Sequence, residues 1–211
     1  MSGALQRLLQ VSSGPIAEGT PTIEFVDSSR SSALDGELAS LLCERNGFFA
    51  FESALRVFPA QTVPASYGLA DWNAADLWKS SYNGSADLVL CFAEDVFGNQ
   101  FSLMHSRVVL FGVETGEIED FSESVEGWAA SVLNDYDFVV GHTFAHDWQK
   151  SNGALPGRHR LCPITPFVAG GEYALENLRA SEAVDLMRTF GEFAQTIRGQ
   201  ADGSTLQLKR S

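Results

Sequence analysis

The stretch LVLCFAEDVFGNQFSLMHSRVVLFGVETGEIEDFSESVEGWAASVL, residues 88–133, decides the fold. Leu88 to Ala93 is a continuous apolar run that ends near the turn-prone Phe97-Gly98-Asn99. Phe101 and Leu103 then alternate with polar neighbours, as a half-buried strand does. Val108 to Phe111 and Glu117 to Phe121 follow, joined through Glu114-Thr115-Gly116, whose glycine supplies the positive φ of a bulged hairpin. Connections this short join antiparallel neighbours, so the spacing predicts a four-strand meander in chain order. Beyond it, Val125, Trp128, Ala129, Val132, Leu133 and Tyr136 fall at i, i+3, i+4, i+7, i+8 and i+11. Ser122 or Ser124 can cap that helix, and Glu123 and Glu126 suit the positive end of its dipole. Its apolar stripe must lie on the sheet.

Working upstream, residues 1–33 hold one short helical pattern (Leu5, Leu8, Leu9) and then Ser, Gly and Pro punctuation. Leu34, Leu38, Leu41 and Leu42 predict a helix over 34–45, stopped at Asn46-Gly47. Asn73 is expected to cap a second short helix carrying Leu77 and Trp78. Downstream of Gly141 the texture changes to loop marked by Pro156, Gly157, Pro163 and Pro166, with a short strand expected near Phe167 to Ala169. Val184, Met187, Phe190, Ala194 and Ile197 predict one more amphipathic helix, and Asp202-Gly203 a turn into a terminal strand, Leu206 to Lys209. The expected architecture is α+β: an N-terminal helix and loop (1–33), an antiparallel meander covered by helices (34–141), and a C-terminal α/β extension packed on it (142–211).

A chain of 211 residues, 45 % hydrophobic and 19 % charged, can bury a sizeable core, which its 15 Phe and 4 Trp should dominate. Cys43, Cys91 and Cys162 are too few and too scattered for a disulfide framework or a thiolate zinc site, and are expected as buried free thiols. The first residues, MSGALQRLLQ, lack the basic-then-apolar layout of a secretory signal, and no apolar run reaches the ~18 to 20 residues of a membrane span, so a cytoplasmic location is expected.

The net charge of −13 is unevenly placed. From Gly84 to Asp137 eleven acids face one base, Arg107, a balance of −10. Such a field repels nucleic acid and steers a basic protein partner inward. The carboxylates expected to meet that partner are Glu94, Asp95, Glu114, Glu117, Glu119, Asp120, Glu123 and Glu126.

Other chemistry is thin. His142, His146 and Asp147 could hold a metal for a hydrolase, because histidines four apart on a helix share a face. However, Thr143 stands where a zincin needs glutamate, and the segment follows Gly141 in loop-prone sequence, so no resident metal or cofactor is expected. Glu94 and Asp95 are adjacent and would point to opposite strand faces, whereas Glu117 and Glu119 share one and read as a solvated hairpin edge. No G-x-S-x-G elbow occurs, and Gly170-Gly171 lacks the pattern of a nucleotide loop. The four tryptophans are expected in the core.

The succession Asn46-Gly47, FAEDVFGNQF at 92–101, VVLFGVETGEIE at 108–119 and SVEGWAASVL at 124–133 resembles the SUKH superfamily, which includes yeast cell-wall regulators and bacterial immunity proteins. The likeness covers roughly residues 34 to 140. It implies an α+β fold and a non-enzymatic role: many bacterial members look like immunity proteins that neutralise toxins, often nucleases, and others are adaptors or regulators. The chain lacks the Leu-Pro dipeptide that often opens the family's first core helix, and the residues after Gly141 extend past the usual core. The function expected is therefore a protein-binding module that neutralises a basic, nuclease-type toxin, with a metal-dependent hydrolase or a regulatory scaffold as alternatives.

Overall fold

A computed structural model describes residues 3–21 and 33–198. The expected strand over Leu206 to Lys209 lies outside them. The centre is a six-stranded antiparallel meander, β1 (Phe48–Ala50), β2 (Leu55–Val57), β3 (Leu90–Glu94), β4 (Gln100–Met104), β5 (Arg107–Phe111) and β6 (Ile118–Ser122), each strand paired with the next in the chain. The α+β class, the meander and the order of β3 to β6 are as the sequence predicts. β1 and β2, three residues each, add two strands that so short a segment does not announce.

The sheet is covered on both faces, which is why β3 and β4 are almost continuously buried rather than alternating. Across one face lie α1 (Gly3–Gln10), α2 (Ala33–Glu44) and α4 (Val125–Asn134). Trp128 of α4 is fully buried, edge-on to Phe92 of β3 at 5.1 Å and to Phe101 of β4 at 5.8 Å. Acidic side chains lock these helices together by accepting the N–H groups that a helix start leaves unsatisfied. Glu37 of α2 accepts from Val125 at 2.8 Å, Ser124 caps α4 through Gly127, and Glu126 accepts from Ala4 and Leu5 at the start of α1.

The other face carries α3 (Leu69–Trp72), a 3₁₀ turn over Lys79–Tyr82, and α7 (Ala183–Arg198). Trp72, Trp78, Tyr82 and Phe111 form a chain of ring contacts there. Asn73 does not start a helix. It ends α3, and its amide bonds both to the Cys91 carbonyl and N–H, pinning α3 to β3. α7 comes close because residue 191 is glycine: a Cβ there would sit 2.7 Å from the Ser81 side chain.

After α4 the chain makes α5 (Tyr136–Val140) and α6 (His142–Asn152), bent at Gly141 with φ 70, so the segment expected as loop is helical. A separate two-stranded sheet, β7 (His159–Pro163) with β8 (Leu178–Glu182), leads directly into α7. The strand expected at Phe167 to Ala169 is a 3₁₀ turn. Cys91 and Cys162 are buried as expected, but Cys43 is exposed on α2.

Candidate functional site

β6 is an edge strand, and among the described residues its outer side pairs with no other strand. Glu117, Glu119, Asp120 and Glu123 are exposed on it and at its two ends. Arg107, at the start of β5, reaches Asp120 at 3.2 Å and Glu123 at 2.8 Å, all three largely in solvent. The pairing shifts register between Val108 and Val109, placing Asp120 opposite Val109 and Ser122 opposite Val108. Such bulges twist an edge and re-aim its side chains.

The other four expected partner residues are not on this surface. Glu94 is completely buried: Arg56, its cross-strand neighbour, and Arg160 of β7 both pair with its Oε1, and Gln100 donates to Oε2 at 3.0 Å. Asp95 is buried because its carboxylate organises the β3–β4 turn, accepting the Phe97 and Asn99 N–H groups and the Asn99 side chain at 2.7–2.9 Å. Burial pushes its pKa up to about 7 against those three hydrogen bonds. Glu114 is buried where it accepts the N–H groups of Phe167 and Val168, and burial likewise raises its pKa. Glu126 is half-buried as the cap of α1. Glu94, Glu114 and Glu126 pair with groups far away in sequence, and Asp95 with the turn it closes, so a reading of charge along the chain counts structural carboxylates as surface.

The helical α6 does bring His142 and His146 to one face, but Asp147 lies apart, 3.5 Å from Lys150. The third group beside the histidines is Glu52, in the β1–β2 turn: its Oε2 is 2.8 Å from His146 Nδ1 and its Oε1 3.8 Å from His142 Nε2. The hydrogen bond with His146 holds the Glu52 carboxyl below its ordinary range. No spacing rule connects residue 52 with residues 142 and 146, so the sequence carries no signal for this grouping.

Two concavities lie elsewhere on the described surface. A groove of about 640 Å³ beside α7 is lined by Tyr67, Arg158, His159, Glu182 and Arg188, with the Arg158 guanidinium 4.4 Å from the Tyr67 ring. Its cations are engaged: Arg158 donates to the Val63 carbonyl and Arg188 to that of Leu77. A cleft of about 150 Å³ lies between Phe97, Glu114, Phe167 and Tyr173. Among the described residues no helix is long and apolar enough to cross a membrane.

No protein-family model matches the chain, and no curated protein matches it in sequence. Among solved structures it is similar to Atu4351 from Agrobacterium tumefaciens, with a TM-score of 0.54 and 11 % identity over 87 % of this chain and 86 % of that one. A likeness at that identity speaks for a shared fold.

Proposed function

We propose that this chain is a non-enzymatic protein-binding module of the SUKH immunity kind, which neutralises a basic, nuclease-type toxin in the cytoplasm by docking it on the β6 edge. The observation that carries the reading is the concentration of exposed Glu117, Glu119, Asp120 and Glu123 on one strand edge that no other strand pairs among the described residues, with Arg107 the one base in that stretch. An open edge offers unpaired N–H and C=O groups to any incoming strand. Carboxylates along it repel a second copy of the same edge and attract a cationic one, so the edge selects its partner by charge. A nuclease must present cationic surface to grip nucleic acid, and an acidic edge can occupy that surface. The sequence resemblance over residues 34–140 supports the same class.

The test is charge reversal by Glu117→Lys, Glu119→Lys and Asp120→Lys together. These side chains are exposed, so the variant should fold normally while losing affinity for the cognate toxin at least tenfold and failing to protect cells challenged with it. A folded variant with unchanged affinity and full protection removes the β6 edge as the interface.

A further inference from the structure

We propose that Glu52, His142 and His146 form a binding site for one divalent first-row transition metal of the Zn²⁺ class, clamping the β1–β2 turn to α6. The site is separate from the β6 edge and does not rest on the function proposed for it.

The donor set comes first. Two imidazoles one helical turn apart and one carboxylate from a different element place a ligand atom each within 4.8 Å of the others. Zinc bonds to nitrogen and carboxylate oxygen at about 2.0–2.2 Å, so tetrahedral donors stand about 3.3 Å apart. The observed separations from Glu52, 2.8 Å to His146 and 3.8 Å to His142, lie on either side of that value. All the donor atoms lie within 4.8 Å of one another, so an ion that takes the place of the proton between Glu52 and His146 draws them in by side-chain adjustment. Two nitrogens and one oxygen favour zinc, cobalt, nickel or copper over the all-oxygen preference of magnesium and calcium.

The support is built as well. His142 is held edge-on by the Tyr136 ring at 5.1 Å, and Tyr136 is stacked on Phe51 at 4.7 Å. Gln149, one turn beyond His146, donates to the Glu52 carbonyl at 2.8 Å. Glu52 is thus gripped at backbone and side chain by three successive turns of one helix. Phe51, Glu52 and Ser53 all hold positive φ, at 52, 52 and 67, a conformation that side-chain-bearing residues rarely adopt. The chain keeps three side chains there, and one is the carboxylate that faces the histidines. Side-chain exposures of 25 %, 36 % and 52 % for His142, His146 and Glu52 leave a path for the ion and room for water as the remaining ligand. The sequence argued against a metal from Thr143 and from loop-prone surroundings; the segment is helical, and Glu52 rather than Asp147 is the carboxylate beside the histidines.

The experiment uses the full untagged chain, stripped with chelator and titrated with Zn²⁺ by calorimetry, then with Co²⁺ by visible absorption. The expected result is one ion per chain, a rise of several degrees in Tm, and the d–d bands of a low-coordinate N/O cobalt site. Glu52→Gln and His146→Ala should each weaken Zn²⁺ binding at least tenfold, whereas Asp147→Asn should leave it unchanged. Circular dichroism verifies that the variants fold, and Glu52→Gln keeps the hydrogen-bonding capacity of the turn should His146→Ala disturb it. Absence of saturable 1:1 binding overturns the proposal, as does binding that survives Glu52→Gln or follows Asp147 instead; the Glu52–His146 contact is then an ordinary surface pair.

Discussion

Arg56 and Glu94 face each other across β2 and β3 with both side chains fully out of solvent. Arg160 from β7 shares the same carboxylate, so two guanidinium groups converge on one acid beneath the junction of the large and small sheets. Arg56 donates besides to the Gly157 carbonyl at 2.7 Å, and Trp72 and Gln100 continue the network from Glu94. Burial lowers the Arg56 pKa to about 9 with Glu94 opposing that fall, so the guanidinium stays charged at neutral pH.

Removing the shared acid leaves two buried cations without the carboxylate that both contact. Glu94→Ala is expected to destabilise the chain by about 3–5 kcal/mol, measured by urea unfolding. A replacement of Arg56, Glu94 and Arg160 together by apolar residues of similar volume should cost less than Glu94→Ala alone. The account fails if Glu94→Ala costs under about 1 kcal/mol.

Trp128→Ala empties the space between Phe92, Phe101 and α4. A loss of about 3–5 kcal/mol is expected for so large a buried side chain, seen as a lower denaturation midpoint. The same change at half-buried Trp148 of α6 should cost distinctly less.

These two sites differ in how far the sequence disclosed them. Trp128 stands in an uninterrupted helical stripe beside Val125, Ala129 and Val132, and local periodicity is enough to place it. The turns between β3 and β6 carry Gly98 and Gly116 at positive φ, so strand order was readable from the same stretch. Glu94 sits in the most legible strand, yet its partners Arg56 and Arg160 lie 38 and 66 residues away, and no local pattern separates a buried carboxylate from an exposed one. Glu52 and α6 pose the same difficulty across some 90 residues. β7 escaped detection because Pro163 and its neighbours read as loop; Pro163 fits as the last residue of a strand paired on one side.

If the β6 edge steers a basic partner, the association rate should fall markedly as ionic strength rises from about 0.01 to 0.15 M, because the Debye length drops from ~30 to ~8 Å. Stopped-flow mixing of chain and toxin reads this directly, and the Glu117→Lys, Glu119→Lys, Asp120→Lys variant should show a much flatter salt dependence. A slope equal in the two proteins would mean the field originates elsewhere.

Asp95 makes the stability of the fold depend on pH in a direction opposite to that of an ordinary paired carboxylate. Its side chain has a pKa of about 7 in the folded chain, because loss of hydration outweighs three accepted hydrogen bonds, against about 3.9 when unfolded. Between those values the folded state holds a proton that the unfolded state has released, so stability contributed by this group is greatest below about pH 4, falls as pH rises, and levels off above about 7. Two such pKa values make the part of the decline between pH 5 and pH 8 about 2 to 3 kcal/mol. Glu114, whose pKa is also raised, adds to the slope with the same sign, so the wild-type profile alone cannot isolate Asp95. Asp95→Asn can, because the amide has nearly the shape of the protonated acid and does not titrate. Its stability relative to wild type, from denaturation curves at each pH, should improve by about 2 to 3 kcal/mol from pH 5 to pH 8. A constant difference across that range would mean that the hydrogen bonds from Phe97 and Asn99 keep the carboxylate ionised throughout, and that burial at the β3–β4 turn costs it nothing.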